Sequence, residues 1–94
     1  MQTIKVFYLE NCPYCRNARR AVEELTAEKE AYAQIPLEWI EESRQPQIAQ
    51  TYDYYYVPTL FVNGEKLYEA SPADSFPAIK ASIKNVMDRV IAQG

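Results

Sequence analysis

The 94-residue chain contains no histidine and only two cysteines, Cys12 and Cys15. Zinc sites usually take four ligands from cysteine and histidine, so a zinc ion here would need ligands from a second subunit. No apolar run approaches the length of a membrane span, and the N-terminus lacks the apolar segment of a signal peptide. We therefore expect no membrane association and a cytoplasmic location, where a lone cysteine pair is more often catalytic than structural.

Basic residues are not in excess either. Ten lysine and arginine side chains stand against thirteen acidic ones, for a net charge of −3. Without a basic patch to release counterions from phosphates, nucleic acid is not an expected partner. The chain shows no repeat, low-complexity segment or interdomain linker, and its length suits one domain over residues 1–94.

The most informative stretch is the motif Cys12-Pro13-Tyr14-Cys15, which follows an apolar run at residues 4–9. The run is rich in β-branched and aromatic residues, which is typical of a buried strand. Pro13 suits the first turn of a helix, so the motif is predicted where the strand gives way to a helix. Cysteines three residues apart on a first turn share one face, and that spacing is compatible with a disulfide.

This placement predicts reactive thiols. A helix N-terminus carries partial positive charge and free N–H donors, which favour a thiolate over a thiol. Cys12, the outer residue, is the expected nucleophile, and Cys15 the resolving thiol. Arg16 would help to hold a thiolate at Cys12, whereas Glu10 would oppose it. Dithiol redox chemistry is the main hypothesis, and a metal site or simple packing remain the alternatives.

The apolar pattern predicts the order strand, helix, strand, helix, strand, strand, helix. Strands are expected at residues 4–9, 37–41, 59–62 and 66–69, and helices from Pro13, over roughly 45–52 and from about 74. Asn63-Gly64 predicts a two-residue hairpin between the last two strands. Ser43 is the expected cap of the second helix, and Ser71 or Asp74 that of the third. This order gives an α/β fold with a mixed four-stranded sheet, three helices and both faces covered.

Tyrosines are concentrated ahead of the third strand. Four of the eight occur in the five residues 52–56, directly before Val57-Pro58. They either pack between helix and sheet or line the rim of a groove beside the dithiol, where rings and hydroxyls would meet a peptide or thiol substrate. The sequence leaves both interpretations open.

The Cys-Pro-Tyr-Cys motif after a hydrophobic strand, with Val57-Pro58-Thr59 later in the chain, resembles the glutaredoxins of the thioredoxin-fold superfamily. The resemblance implies a sheet order of 2-1-3-4, with the dithiol at the C-terminal end of a central strand, where ligands of open α/β sheets bind. It also implies that Pro58 is cis and lies beside the dithiol. The Val57 backbone would then pair with a substrate as an added strand.

The function implied by the resemblance is that of a small thiol–disulfide oxidoreductase acting on protein or glutathione mixed disulfides. Glutathione would be the co-substrate, and no metal or organic cofactor would be needed. The residues implied in binding the substrate or glutathione are Tyr14, Val57, Pro58, Ser71 and Asp74, with Pro13, Arg16 and Thr59 in support.

The chain departs from the glutaredoxin pattern where the γ-glutamyl end of glutathione is held. A Gly-Gly pair is replaced there by Glu69-Ala70, ahead of Ser71 and Asp74. We therefore expect weaker glutathione binding. One alternative is a thioredoxin-like electron carrier fed by a flavoprotein reductase, and another is a dimeric module that holds zinc or an iron–sulfur cluster with the same cysteines. A third is a chain that docks a partner reductase and serves it specifically, for which the tyrosine cluster would be the contact.

Overall fold

A computed structural model describes residues 1–93 and shows an α/β fold built on one mixed sheet. The strands are β1 (Ile4–Tyr8), β2 (Leu37–Glu41), β3 (Thr59–Val62) and β4 (Glu65–Glu69), and the helices are α1 (Pro13–Glu28), α2 (Glu30–Ala33), α3 (Pro46–Ala49) and α4 (Phe76–Gln93). The strand order is β2-β1-β3-β4, with β1 parallel to β2 and the other pairs antiparallel. The predicted fold class and strand order are confirmed.

The prediction of three helices was wrong, because the described residues contain four. Lys29 adopts an extended backbone, with φ of −147°, and ends α1, and the single turn α2 follows. Leu25 and Tyr32 are both buried and lie seven residues apart, a spacing typical of one continuous helix. The hydrophobic periodicity therefore conceals the break. The new direction of the chain brings the Tyr32 hydroxyl to Asp88 of α4.

Alternate residues of the central strands face two separate apolar clusters, as the pleat of a strand requires. On one face, α1 and α4 pack on the buried side chains of Ile4, Val6, Leu60 and Val62. On the other face, the smaller cluster consists of Phe7, Ile40 and Phe61, with Ile48, Ala49, Tyr52, Tyr54 and Val57 packed against it. None of the helices in residues 1–93 is both long and apolar enough to cross a membrane.

The hairpin between β3 and β4 forms as predicted. Asn63 and Gly64 have φ values of 54° and 82°, the left-handed conformation that a type I′ turn needs at both central positions. The strand after it begins at Glu65, one residue earlier than expected. The turn thereby fixes the antiparallel pairing of the edge strand β4 with β3.

The predicted cap of the last helix was wrong. Ser75 is the residue before α4, and its Oγ accepts the Ala78 N–H at 3.3 Å. The carboxylate of Asp74 is occupied elsewhere, since it accepts the Tyr68 hydroxyl at 2.8 Å and the Ser71 N–H at 3.1 Å. Ser71 and Asp74 therefore close a turn ahead of the helix.

The predicted cap of the second helix was also wrong. The structure shows no side-chain cap at α3, which follows Gln45. The Ser43 hydroxyl donates instead to Glu41 at 2.6 Å. Ser43 also lies two residues before Gln45, so it is not the residue that directly precedes the helix.

Candidate active site: the dithiol and the adjacent loop

The dithiol motif lies where β1 gives way to α1. The helix begins at Pro13, as predicted, because the fixed φ of proline is already helical and its missing N–H is not needed there. Cys12 is the cap residue and has an extended backbone, with φ of −98° and ψ of 122°. Its Sγ accepts the N–H of Cys15 at 3.4 Å, so the thiol takes the place that a serine or aspartate oxygen often has at a helix start.

The two thiols are free and differ in exposure. Cys12 is half-buried, and its thiol donates to the Val57 carbonyl at 3.8 Å. Cys15 is only 5% exposed, and its Sγ accepts the Leu9 N–H at 3.5 Å. Burial raises the pKa of Cys15 to about 12, the Leu9 N–H opposes the rise, and the neighbouring Cys12 adds to it. Cys12 is therefore the accessible thiol, and Cys15 is held as a neutral thiol beneath it.

The loop ahead of β3 brings Val57 and Pro58 to the dithiol. The Val57–Pro58 peptide bond is cis, as the resemblance implied, and the Pro58 side chain is fully buried. Thr59 is fully buried as well, and its hydroxyl donates to the Tyr56 carbonyl. Across residues 1–93 we find no hydrogen-bond partner for the Val57 N–H. Val57 thus lies next to Cys12 with a free backbone donor.

Of the four tyrosines in residues 52–56, two pack against the sheet and two are exposed ahead of Val57. Tyr52 and Tyr54 pack on Phe7, with ring centroids at 4.8 and 5.0 Å, so these two serve the smaller apolar cluster. Tyr55 and Tyr56 are 89% and 53% exposed on the segment that leads to the dithiol.

Ser71, Asp74 and Tyr14 surround a segment that is already hydrogen-bonded within the chain. The Tyr14 hydroxyl donates to the Pro72 carbonyl, which joins α1 to the turn ahead of α4. The Ser71 N–H donates to the Asp74 carboxylate, as described above. Burial and the bond to Asp74 raise the pKa of Tyr68. The groups expected to receive the γ-glutamyl end of glutathione therefore have partners.

A second acidic group near Cys12, Glu41, was not found from the sequence. It lines the same cavity as Cys12 and Arg44, and its carboxylate accepts the Glu10 N–H at 3.2 Å and the Ser43 N–H at 2.7 Å. These bonds, the Ser43 hydroxyl first, lower the pKa of Glu41. The last residue of a short strand carries no sequence signal for such a role, because the donors come from two loops.

Glu10 and Arg44 form an ion pair at 2.6 Å beside the same cavity. Both side chains are largely exposed. The pair gives the acid next to the motif a basic partner, which the sequence did not predict.

Arg16 lies beside the dithiol, where it lines a cavity with Leu9 and Cys15. Its effect on a thiolate at Cys12 stays a prediction. Its neighbour Arg19 stacks over the Trp39 ring at 4.2 Å. In residues 1–93 no three His, Cys, Asp or Glu side chains are grouped so that they could hold a metal ion.

The comparisons with known proteins agree with this arrangement. The family model described as "Thioredoxin domain" matches residues 2–70. A thioredoxin from Methanocaldococcus jannaschii is 33% identical over 69 residues, which cover 73% of this chain and 79% of the relative. Among solved structures, thioredoxin from Malassezia sympodialis has a TM-score of 0.68 at 18% identity, over 96% of this chain and 77% of that one.

Thioredoxin 1 from Thermosipho africanus has a TM-score of 0.60 at 14% identity, over 94% of this chain and 97% of that one. These two structural similarities, at low identity, concern the fold. The family match and the curated relative together support a thioredoxin-like thiol oxidoreductase. The chain therefore belongs to the thioredoxin domain family.

Proposed function

We propose that the chain reduces disulfide bonds of protein substrates, with Cys12 as the nucleophile and Cys15 as the resolving thiol. One observation carries the proposal. The more accessible sulfur lies at a helix N-terminus, with a shielded second thiol beneath it and the Val57 backbone beside it. Helix N-termini stabilise thiolates, and the thiolate is the reactive form.

The reaction takes two exchange steps. The Cys12 thiolate attacks one sulfur of the substrate disulfide, which forms a mixed disulfide and releases the first substrate thiolate. Cys15 then loses its proton and attacks the Cys12 sulfur, which closes the protein disulfide and releases the second thiolate. The first released thiolate is a suitable acceptor for the Cys15 proton. Two electrons pass from the protein dithiol to the substrate, and neither a metal nor an organic cofactor takes part.

The free Val57 N–H supports a substrate bound in an extended conformation. An added strand pairs through main-chain groups, so it needs an unpaired donor or acceptor on the receiving chain. Val57 offers that donor next to the cysteine that attacks. A peptide that flanks the substrate disulfide would thus be aligned with Cys12.

For the electron donor, we favour a flavoprotein disulfide reductase of the kind that serves thioredoxins. Two observations support it. The relative from Methanocaldococcus jannaschii is named a thioredoxin. The Ser71 N–H and the Pro72 carbonyl, in the segment where a glutaredoxin would hold glutathione, are bonded to Asp74 and Tyr14.

Glutathione is the second candidate, and Arg44 favours it. The guanidinium lines the cavity of Cys12 and carries a positive charge that would pair with a carboxylate of the tripeptide. Glu10 competes for that charge at 2.6 Å. We therefore expect glutathione to reduce the chain with weaker apparent binding than a glutaredoxin with the full motif.

A coupled turnover assay with insulin as the disulfide substrate separates the donors. We expect turnover with NADPH and thioredoxin reductase, and slower, poorly saturating turnover with glutathione and glutathione reductase. Cys12→Ser should abolish both, and Arg44→Ala should weaken only the glutathione-driven reaction. Saturation at low glutathione concentration together with no turnover from the reductase would reverse the order of the donors. No insulin reduction even by the pre-reduced protein would overturn the function.

A further inference from the structure

Glu69 links the edge strand β4 to the loop beside the dithiol. It lies opposite Thr59 in the sheet, and Thr59 directly follows the cis proline. Its Oε2 accepts the backbone N–H groups of Tyr55 at 2.6 Å and Tyr56 at 2.8 Å, and its Oε1 accepts Lys66 Nζ at 2.8 Å. The side chain is 20% exposed. Both carboxylate oxygens are therefore engaged, and one of them holds only loop backbone.

The segment from Tyr55 to Pro58 has no strand or helix bonds of its own to fix it. At its start the backbone is held by Glu69, and at its end the Pro58 carbonyl accepts the Ala70 N–H at 3.0 Å. The last residue of β4 and the residue after it thus hold the two ends of the segment. Val57 lies between these anchors and faces Cys12.

The carboxylate is charged under all ordinary conditions. The bond from Lys66, and after it the N–H groups of Tyr56 and Tyr55, lower the pKa of Glu69 to about 2. A charged acceptor forms stronger bonds to N–H groups than a neutral one does. The hydrogen bonds from the Tyr55 and Tyr56 N–H groups to the Glu69 carboxylate are consequently present at every pH at which the thiols react.

We propose that Glu69 is a positioning residue for the reduction of protein disulfides. By holding the backbone of Tyr55 and Tyr56, it keeps the Val57 N–H oriented for an incoming extended peptide beside Cys12. Glu69 itself touches neither the sulfurs nor the substrate disulfide. The inference rests on the proposed function, because the hydrogen bonds to Glu69 affect activity only where a substrate backbone pairs with Val57.

Single-turnover reduction by the pre-reduced protein tests this role without any electron donor. Insulin is a polypeptide whose backbone can pair with Val57, whereas Ellman's reagent is a small disulfide without a peptide backbone. In Glu69→Ala we expect the half-saturating insulin concentration to rise about 5- to 20-fold, since a loosened loop is rarely aligned. The rate with Ellman's reagent should stay within about twofold, because Cys12 is unchanged. Glu69→Gln should rescue much of the loss, because its amide oxygen still accepts the two N–H groups.

Glu65→Ala is the matched control, since Glu65 lies on the same strand and its side chain forms an ion pair with the exposed Arg89 at 3.4 Å. It should leave both substrates unaffected. Amide hydrogen exchange at Tyr55 and Tyr56 should accelerate in Glu69→Ala and not in the control. Equal losses with insulin and Ellman's reagent would show a purely structural role, and unchanged insulin kinetics would overturn the positioning role alone. A wild-type chain that reduces neither substrate would instead overturn the proposed function.

Discussion

At the scale of single residues, the first turn of α1 gives two thiols three positions apart different chemical surroundings. Cys12 caps the helix and is accessible, whereas Cys15 is 5% exposed and has its pKa raised to about 12 by burial. A raised pKa keeps the buried thiol neutral throughout the neutral pH range. Attack on an external disulfide therefore falls to one sulfur, and ring closure to the other.

This difference predicts selective alkylation. Iodoacetamide between pH 6 and 8 should label Cys12 at least about tenfold faster than Cys15, because labelling follows thiolate character and exposure. Peptide mapping after a short pulse measures the ratio. Cys15→Ser should keep the fast labelling and accumulate a mixed disulfide with insulin, whereas Cys12→Ser should lose both. Equal labelling of the two cysteines would contradict the assignment.

The lowered pKa of Glu69 predicts that the free energy of unfolding depends on pH. Its pKa in the folded chain, about 2, lies below the ordinary value of 4.5, so its stabilising contribution is present above pH 4.5 and is lost as pH falls through 2. Urea unfolding should show Glu69→Gln to be less stable than the wild type by about 1–3 kcal/mol at pH 7. The difference should shrink toward zero near pH 2. Glu65→Gln serves as the control, and a difference that does not change with pH would contradict this origin.

At the scale of elements, the Asn63-Gly64 turn pairs the start of β4 with the end of β3. A register shift between Leu60 and Phe61 then moves the pairing by one residue, so that Glu69 lies opposite Thr59. Gly64 has φ of 82°, and a Cβ added there would meet no atom within 4 Å. A substitution at this position therefore acts through the backbone conformation and not through a clash.

Gly64→Ala should lower the free energy of unfolding by about 1–2 kcal/mol, the cost of a left-handed conformation for a residue with a Cβ. Urea denaturation measures the change. Asn63→Gly is the control, because glycine adopts the same conformation without strain, and it should change stability by less than about 0.5 kcal/mol. An equal loss in both variants would show that side-chain contacts of the turn matter more than its φ values.

The starts of the helices show how far sequence reasoning reaches at this scale. The start of α1 was predictable because proline has one favoured place in a helix. The cap of α4 was not, because Ser71, Asp74 and Ser75 are all capable caps within five residues. The carboxylate of Asp74 is occupied by the hydroxyl of Tyr68, which comes from a neighbouring strand, and Ser75 caps the helix instead. A contact of this kind exists only after the chain has folded.

At the scale of the whole molecule, the sheet separates a larger core under α1 and α4 from the smaller cluster around Phe7. The dithiol helix belongs to the larger core. The loop that carries Val57 rests on the smaller cluster through Tyr52 and Tyr54. The two halves of the site are therefore supported by different faces of the sheet.

Conservative changes in the two clusters should have different effects on activity. Phe7→Leu removes the ring contacts to Tyr52 and Tyr54, and we expect it to cost about 1–2 kcal/mol and to raise the half-saturating insulin concentration. Ile83→Val, in the larger core, should cost about 0.5–1.5 kcal/mol with insulin kinetics unchanged. Urea unfolding and single-turnover assays on the folded variants measure both quantities. Equal effects on insulin reduction would show that the faces are not separable.

The same division explains what the sequence revealed of the site. Cys12, Cys15, Val57 and Pro58 come from two short motifs, and the structure brings them together. The roles of the acidic residues were not visible, because Glu41 and Glu69 act on backbone groups of loops that are distant in the chain. A hydrophobicity pattern predicts only that a glutamate in a strand is exposed to solvent.

The stack of Arg19 on Trp39 gives the molecule an internal optical probe. Trp39 is the only tryptophan of the chain, and its ring lies 4.2 Å from the guanidinium of Arg19 and 5.8 Å from the Tyr8 ring. Arg19 belongs to the helix that starts with the dithiol, so the fluorescence of one indole reports how that helix is seated on β2. If it separates from the sheet, the ring enters water and its emission moves to longer wavelength. Helix docking can thus be followed spectroscopically without a label on either thiol.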